Sequence, residues 1–161
     1  MIVRLLLAVA FVGFAAPSAF AQRFADTTLS SGGIGTAVGP SGGWFVDGSK
    51  AVLRTTSLVG EGQLFVANAT EFVALGGVRQ RLFDTNRGEI YAQLLFGGAT
   101  GYSRRCELCN PRVTEVGVGA SVALNERWGI RIRGDIRTGG SAADLFYPTL
   151  GVGITRRWGA Q

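Results

Sequence analysis

Residues 127–137 read RWGIRIRGDIR. Arg127, Arg131, Arg133, Asp135 and Arg137 occupy one parity, while Trp128, Ile130, Ile132 and Ile136 occupy the other. Successive side chains of a β-strand point to opposite faces, so this stretch as a strand has one strongly cationic face and one wholly apolar face. Each face needs its own solvent. Either the apolar face covers an oily core and the arginines meet water, or lipid lies outside and a polar interior takes the charges.

The alternation continues on both sides. VTEVGVGASVAL (113–124) sets Thr114, Val116, Val118, Ala120, Val122 and Leu124 against Glu115, Gly117, Gly119, Ser121 and Ala123, and Asn125 and Glu126 make a tight turn into 127–137, giving a hairpin. EIYAQLLFGGAT (89–100) sets Ile90, Ala92, Leu94 and Phe96 against Glu89, Tyr91, Gln93 and Leu95. EFVALGGVRQRLF (71–83) puts Phe72, Ala74, Val78 and Leu82 opposite Arg79 and Arg81, and DTNRG joins these two segments. SLVGEGQLFV (57–66) opposes Leu58, Leu64 and Val66 to Glu61 and Gln63, and FYPTLGVGITRRW (146–158) opposes Phe146, Leu150, Val152, Ile154 and Trp158 to Thr149, Thr155 and Arg157. WFVDGSKAVL (44–53) and GGIGTAVG (32–39) complete the set. The expectation is an all-β chain of eight antiparallel strands in up-and-down order, with short connections near 54–56, 84–88 and 125–126 and longer polar loops at 101–112 and 139–145.

The N-terminus, MIVRLLLAVAFVGFAAPSAFAQ, begins with Arg4, runs apolar from Leu5 to Ala16, and ends on Ala19-Phe20-Ala21. A basic start, a short apolar run and an A-x-A end are the pattern of a secretory signal over residues 1–21, leaving 22–161 as one barrel domain. The apolar run is too short for a spanning helix, which needs about 18 residues or more.

A soluble lipocalin-like barrel binding an apolar ligand shares the strand number and the leader, with its apolar side chains turned inwards. Three features favour a transmembrane β-barrel. The polar parity is rich in glycine, as at Gly117, Gly119, Gly151 and Gly153, which weakens a solvent-exposed strand but makes room for long side chains in a crowded interior. Aromatic residues of the apolar parity cluster at strand ends, Trp128 and Trp158 at one and Phe72 and Phe146 at the other, as two membrane interfaces require. Mid-strand apolar positions are simple aliphatic groups, and an arginine at the bilayer midplane costs about 2–4 kcal/mol, so Arg131 and Arg133 must face inwards.

FVALGGVRQRLF, YAQLLFGGATG, VGVGASVALNERWGIRIRGDIRT and LGVGITRRW together resemble the OmpA-like eight-stranded outer-membrane proteins, the outer-membrane β-barrel domain or porin family, over residues 57–158. The resemblance implies location in the bacterial outer membrane after export to the periplasm, contact with lipid and lipopolysaccharide, and insertion by the barrel-assembly machinery as a monomer. Members end on an aromatic residue read by that machinery; here Trp158 is followed by Gly159, Ala160 and Gln161.

The charges bear on function. The chain of 161 residues carries 16 basic and 11 acidic side chains, net +5, and Lys50 is its one lysine. The arginines alternate along strands with carboxylates of the same parity, which points to pairing in place of a nucleic-acid patch. There is no histidine. The outer-membrane barrel hydrolases use one as a base poised near neutral pH, so no enzymatic activity and no cofactor are expected. The expected lumen network is Glu61, Arg79, Arg81, Glu89, Glu115, Arg131, Arg133, Asp135 and Arg137, with partners for the 127–137 strand in Glu61, Glu89 and Glu115. Its two readings are a salt-bridge plug and a narrow anion-selective pore, and the small bore of an eight-stranded barrel favours the plug. Cys106 and Cys109 are the only cysteines; no further thiol or imidazole exists to close a zinc site, and in an exported chain a disulfide pinching the longest loop is expected. Arg104, Arg105 and Arg112 make that loop cationic, either as a solvated tip or as a contact for lipopolysaccharide. The overall expectation is a structural, envelope-integrity or adhesive protein of the outer membrane.

Overall fold

A computed structural model describes residues 27–36, 42–66, 70–85, 87–100, 110–140 and 142–158, with the side chains of 110, 111, 140 and 142–145 left aside. The leader region 1–21 and Cys106 and Cys109 lie outside these residues. Eight strands follow in order: β1 Thr27–Thr36, β2 Gly42–Ala51, β3 Thr56–Val66, β4 Thr70–Thr85, β5 Gly88–Thr100, β6 Asn110–Ala123, β7 Trp128–Gly140 and β8 Ala142–Trp158. Each pairs antiparallel with the next, and β1 pairs with β8 from Thr27↔Trp158 to Thr36↔Thr149, closing the barrel. Closure leaves every strand with two neighbours, so the sheet has no open edge.

Short turns and both outer strand ends lie at one end of the barrel. Asn125 accepts hydrogen bonds through Oδ1 from the backbone N–H of Arg127 and Trp128, both at 2.9 Å, which holds the connection from β6 to β7. Thr85 Oγ1 accepts from the N–H of Gly88 at 3.0 Å in the turn from β4 to β5.

Two boundaries differ from the sequence expectation. The first strand spans 27–36, not 32–39, because TTLSSGGIGT has little alternation and its extent is fixed by pairing on both sides. The expected long loop at 139–145 is largely strand: β7 reaches Gly140 and β8 starts at Ala142. Gly139, at φ 89°, makes this possible by adopting a left-handed backbone beside a shift of register.

The two parities separate as expected. Trp128, Ile130, Ile132 and Ile136 of β7 face outwards and exposed, as do Ile90, Leu94 and Phe96 of β5 and Leu150, Val152 and Ile154 of β8. Arg131, Arg133, Asp135 and Arg137 are buried inside. The lipocalin-like alternative requires the opposite polarity, apolar within and polar without, and does not fit this barrel. A bulge between Arg81 and Phe83 turns both Leu82 and Phe83 outwards at the turn end, where they join Trp128 and Trp158 in an aromatic and aliphatic belt. Trp44, Phe72 and Phe146 form its counterpart at the loop end.

Candidate functional site: the charged interior

The register brings the interior charges to three levels. Asp47 of β2 sits beside Glu61 of β3, Arg137 of β7 beside Glu115 of β6, and Asp135 of β7 beside Gly117 of β6. From these positions the longest side chains reach across the barrel to strands that are not their neighbours. Arg131 of β7 donates from Nη1 to both oxygens of Asp47 at 2.7 and 2.9 Å. Arg79 of β4 donates from Nη2 to the same carboxylate at 3.2 Å, and from Nε and Nη2 to Oε1 of Gln93 at 3.2 and 2.9 Å.

Arg133 forms a bidentate pair with Glu61 of β3, its Nη1 and Nη2 each donating to one oxygen. Its Nε lies 3.2 Å from Asp135 Oδ2, and Gln93 Nε2 donates to the other oxygen of Asp135 at 2.9 Å. Arg137 donates to Glu115 at 3.1 and 2.9 Å, and Gln63 Nε2 spans from Glu61 to Glu115. The result is two groups of ion pairs, one of Arg79, Asp47 and Arg131 and the other of Asp135, Arg133, Glu61, Glu115 and Arg137, joined through the Gln93 amide, which accepts from Arg79 and donates to Asp135. Arg79, Arg131, Arg133 and Arg137 are matched one for one by Asp47, Glu61, Glu115 and Asp135, all with less than a tenth of their surface exposed.

Aromatic rings occupy the space between the guanidinium groups. Arg79 lies 4.5 Å from the centre of the Tyr91 ring, Arg133 4.5 Å from Phe45, and Arg137 4.7 Å from Phe65. Such contacts are stronger where water is excluded. Glycines in the wall make room for this packing. A methyl group on Gly119 would run into the Tyr91 ring, one on Gly117 into the Asp135 carboxylate, and one on Gly151 would approach Arg133 Nε to 3.1 Å. Gly119→Ala is therefore expected to lower the stability of the folded barrel by about 1–3 kcal/mol through overpacking. Gly60→Ala faces outwards with nothing within 4 Å and is expected to change it by no more than about 0.5 kcal/mol. Urea midpoints of the two variants in the same vesicles check the contrast.

Of the residues singled out from sequence, Glu61, Arg79, Glu115, Arg131, Arg133, Asp135 and Arg137 come together in this cluster. Arg81 and Glu89 do not join it: Arg81 Nε donates to Glu89 at 3.0 Å and Nη1 to the carbonyl of Arg54 at 3.1 Å, near the turn-end mouth. Glu89 thus makes its described ion pair with β4, and among the described ion pairs none joins it to an arginine of β7, although Arg131 remains within its electrostatic reach. Two buried acids among the described residues are absent from the sequence expectation, Glu71 near the loop end of β4 and, within the cluster, Asp47, fully buried and shared by two arginines. For Asp47 the signal can be read in the sequence, since in WFVDGS it has the parity of Phe45 and Ser49 and opposes Trp44 and Val46.

Beside the charges and towards the loops the interior is mainly apolar, with Glu71 of β4 also buried on that side. Ile34, Phe45, Phe65, Val73, Leu75, Leu95, Ala99 and Val113 are buried together there. Sequence gives little warning of this layer, because the in-facing Val73, Leu75 and Leu95 have the same chemistry as their outward neighbours. Towards the turns the interior carries small hydroxyls, such as Ser30 and Thr155 at 2.9 Å from each other.

With this geometry in view, neither a protein-family model nor a curated protein sequence matches the chain. Solved structures do. The N-terminal β-barrel domain of Pseudomonas aeruginosa OprF aligns with a TM-score of 0.60 at 10% identity, covering 83% of this chain and 98% of that one. The fold is that of the eight-stranded transmembrane β-barrels. A barrel from a de novo design of transmembrane β-barrels aligns with a TM-score of 0.59 at 12% identity, covering 84% of this chain and 98% of its own. Ail, the attachment invasion locus protein of Yersinia pestis, aligns with a TM-score of 0.49 at 11% identity, over 82% of this chain and 95% of that one. At these identities the likeness is one of fold.

Proposed function

We propose that this chain is an integral protein of the bacterial outer membrane, with its tight turns in the periplasm and its longer loops outside, serving a structural, envelope-integrity or adhesive role. The observation that carries the reading is the polarity of the barrel: an apolar exterior bounded by aromatic residues at both ends, around an interior of paired charges. The resemblance to OmpA-like proteins supports the same location, with lipid and lipopolysaccharide outside and the barrel-assembly machinery as its route of insertion. The proposed leader over 1–21 supplies export, and a disulfide between Cys106 and Cys109 would brace the longest loop.

The interior acts as a plug in this reading. Arg131, Arg133 and Arg137 are reached almost nowhere by water, and the buried apolar side chains from Ile34 to Val113 fill the interior beside them and towards the loops. Their charge is matched by carboxylates, whereas an anion-selective path needs a cationic excess. Electrophoresis of outer-membrane fractions tests the reading. The expected result is a band that migrates faster when unheated than after boiling; recovery of the chain in soluble periplasm, with no heat-dependent shift, would overturn it.

A further inference from the structure

The turn-end surface outside β8, β1, β2 and β3 carries a groove of about 490 Å³, lined among others by Leu29, Gly48, Lys50, Leu58, Gly60 and Trp158. Thr27 is paired with Lys50 on one side and Trp158 on the other, and Leu29 with Gly48 and Arg156. Lys50 and Arg156 therefore flank β1 on the two strands beside it, separated by two strand spacings across the sheet and two residues along it, about 12 Å between backbones and within the combined reach of two long side chains. The recess does not come from internal crowding. A methyl group on Gly60 would meet nothing within 4 Å, and one on Gly48 only the Thr28 carbonyl at 4.0 Å. Deeper along the groove, towards the barrel's middle, the lining is Leu29, Gly48 and Gly60.

Two cations border it, Lys50 in its lining at the turn end and Arg156 outside the lining, level with Leu29 and beside the Trp158 that lines it, and both differ from the cations inside the barrel. Arg79, Arg131, Arg133 and Arg137 each have a carboxylate, but among the described residues neither Lys50 nor Arg156 has an ion pair. The Arg156 guanidinium is held 5.0 Å from the Trp158 ring centre and 5.6 Å from that of Trp128, which positions a positive charge on the apolar belt without neutralising it. A complementary occupant has an anion at one end and an apolar chain behind it.

We propose that this groove binds an anionic phospholipid of the phosphatidylglycerol class. Its phosphodiester lies between Lys50 and Arg156, and one acyl chain lies over Gly48 and Gly60 against Leu29 and Leu58. The inference rests on the membrane reading and deepens it. A zwitterionic lipid brings its own ammonium group to the phosphate and gains less from the two cations. Each basic side chain at an anionic membrane surface contributes enough for about a fivefold preference.

Tryptophan quenching reads the site directly, because Trp128 and Trp158 are beside it while Trp44 is at the other end. The full chain carrying Trp44→Phe, extracted from outer-membrane fractions, is placed in phosphatidylcholine vesicles containing a minor fraction of brominated phosphatidylglycerol or of brominated phosphatidylcholine. The expected result is stronger quenching by the anionic label, with the preference falling about fivefold for Lys50→Gln or Arg156→Gln and vanishing in the double variant. Equal quenching by the two labels before those substitutions would overturn the site, as would a preference that survives the double variant and so belongs to the remaining turn-end arginines. Quenching by brominated phosphatidylcholine reports membrane insertion independently. Its absence, together with loss of the heat shift, would overturn the membrane reading and the groove's ligand with it, while normal insertion without headgroup preference overturns the ligand alone.

Discussion

Asp47→Ala is expected to lower the stability of the folded barrel by about 3–5 kcal/mol, the range for removing one partner of a buried ion pair. The carboxylate has no exposed surface and accepts from Arg131 at 2.7 and 2.9 Å and from Arg79 at 3.2 Å. Without it Arg131 is left charged in a dry interior, whereas Arg79 retains the Gln93 carbonyl oxygen. The cost arises mainly from the stranded guanidinium, not from the loss of attraction. Adding Arg131→Met to Asp47→Ala should therefore restore part of the lost stability, although it removes a second member of the cluster. Urea midpoints in vesicles for the single and double variants form the measurement. A loss under about 1 kcal/mol for Asp47→Ala, or a double variant weaker than the single by the full effect of a second deletion, would show that these pairs do not hold the barrel together.

Ile132→Arg should cost about 2–4 kcal/mol in a bilayer, while Leu124→Arg should cost no more than about 1 kcal/mol. Both side chains are exposed and aliphatic, so their surfaces alone do not separate them. Depth does. Ile132 is in the middle of β7, paired with Ala120 and Val152, and a guanidinium there meets hydrocarbon. Leu124 is in the turn before Trp128, where a long side chain reaches headgroups and water. A barrel surrounded by water would tolerate both substitutions equally, so equal urea midpoints for the two variants would remove the bilayer from the account of this surface.

Several parts of this structure follow from short-range pattern. Alternation in 113–124 and 127–137 is sufficient to assign β6, β7 and the face each side chain takes, because adjacent residues in an extended chain must point apart. Weak alternation limits the same reading in β1, whose position depends on hydrogen bonds to β2 and β8. The run EFVAL (71–75) shows another limit. Phe72 and Ala74 face out while Val73 and Leu75 are buried, yet all four are apolar, and only the register distinguishes a residue in the barrel's core from one on its surface.

The charged cluster divides in the same way. From parity alone the sequence determines that Arg131, Arg133, Asp135 and Arg137 share a face and that Ile130, Ile132 and Ile136 share the opposite one, since that is a property of a single extended strand. Which acid meets which arginine depends on strand stagger, barrel closure and the reach of a guanidinium across the bore, and none of these is local. Tertiary structure therefore decides that Asp47 serves Arg131 and Arg79, that Glu89 remains with Arg81, and that Lys50 and Arg156, 106 positions apart in the chain, flank the same strand.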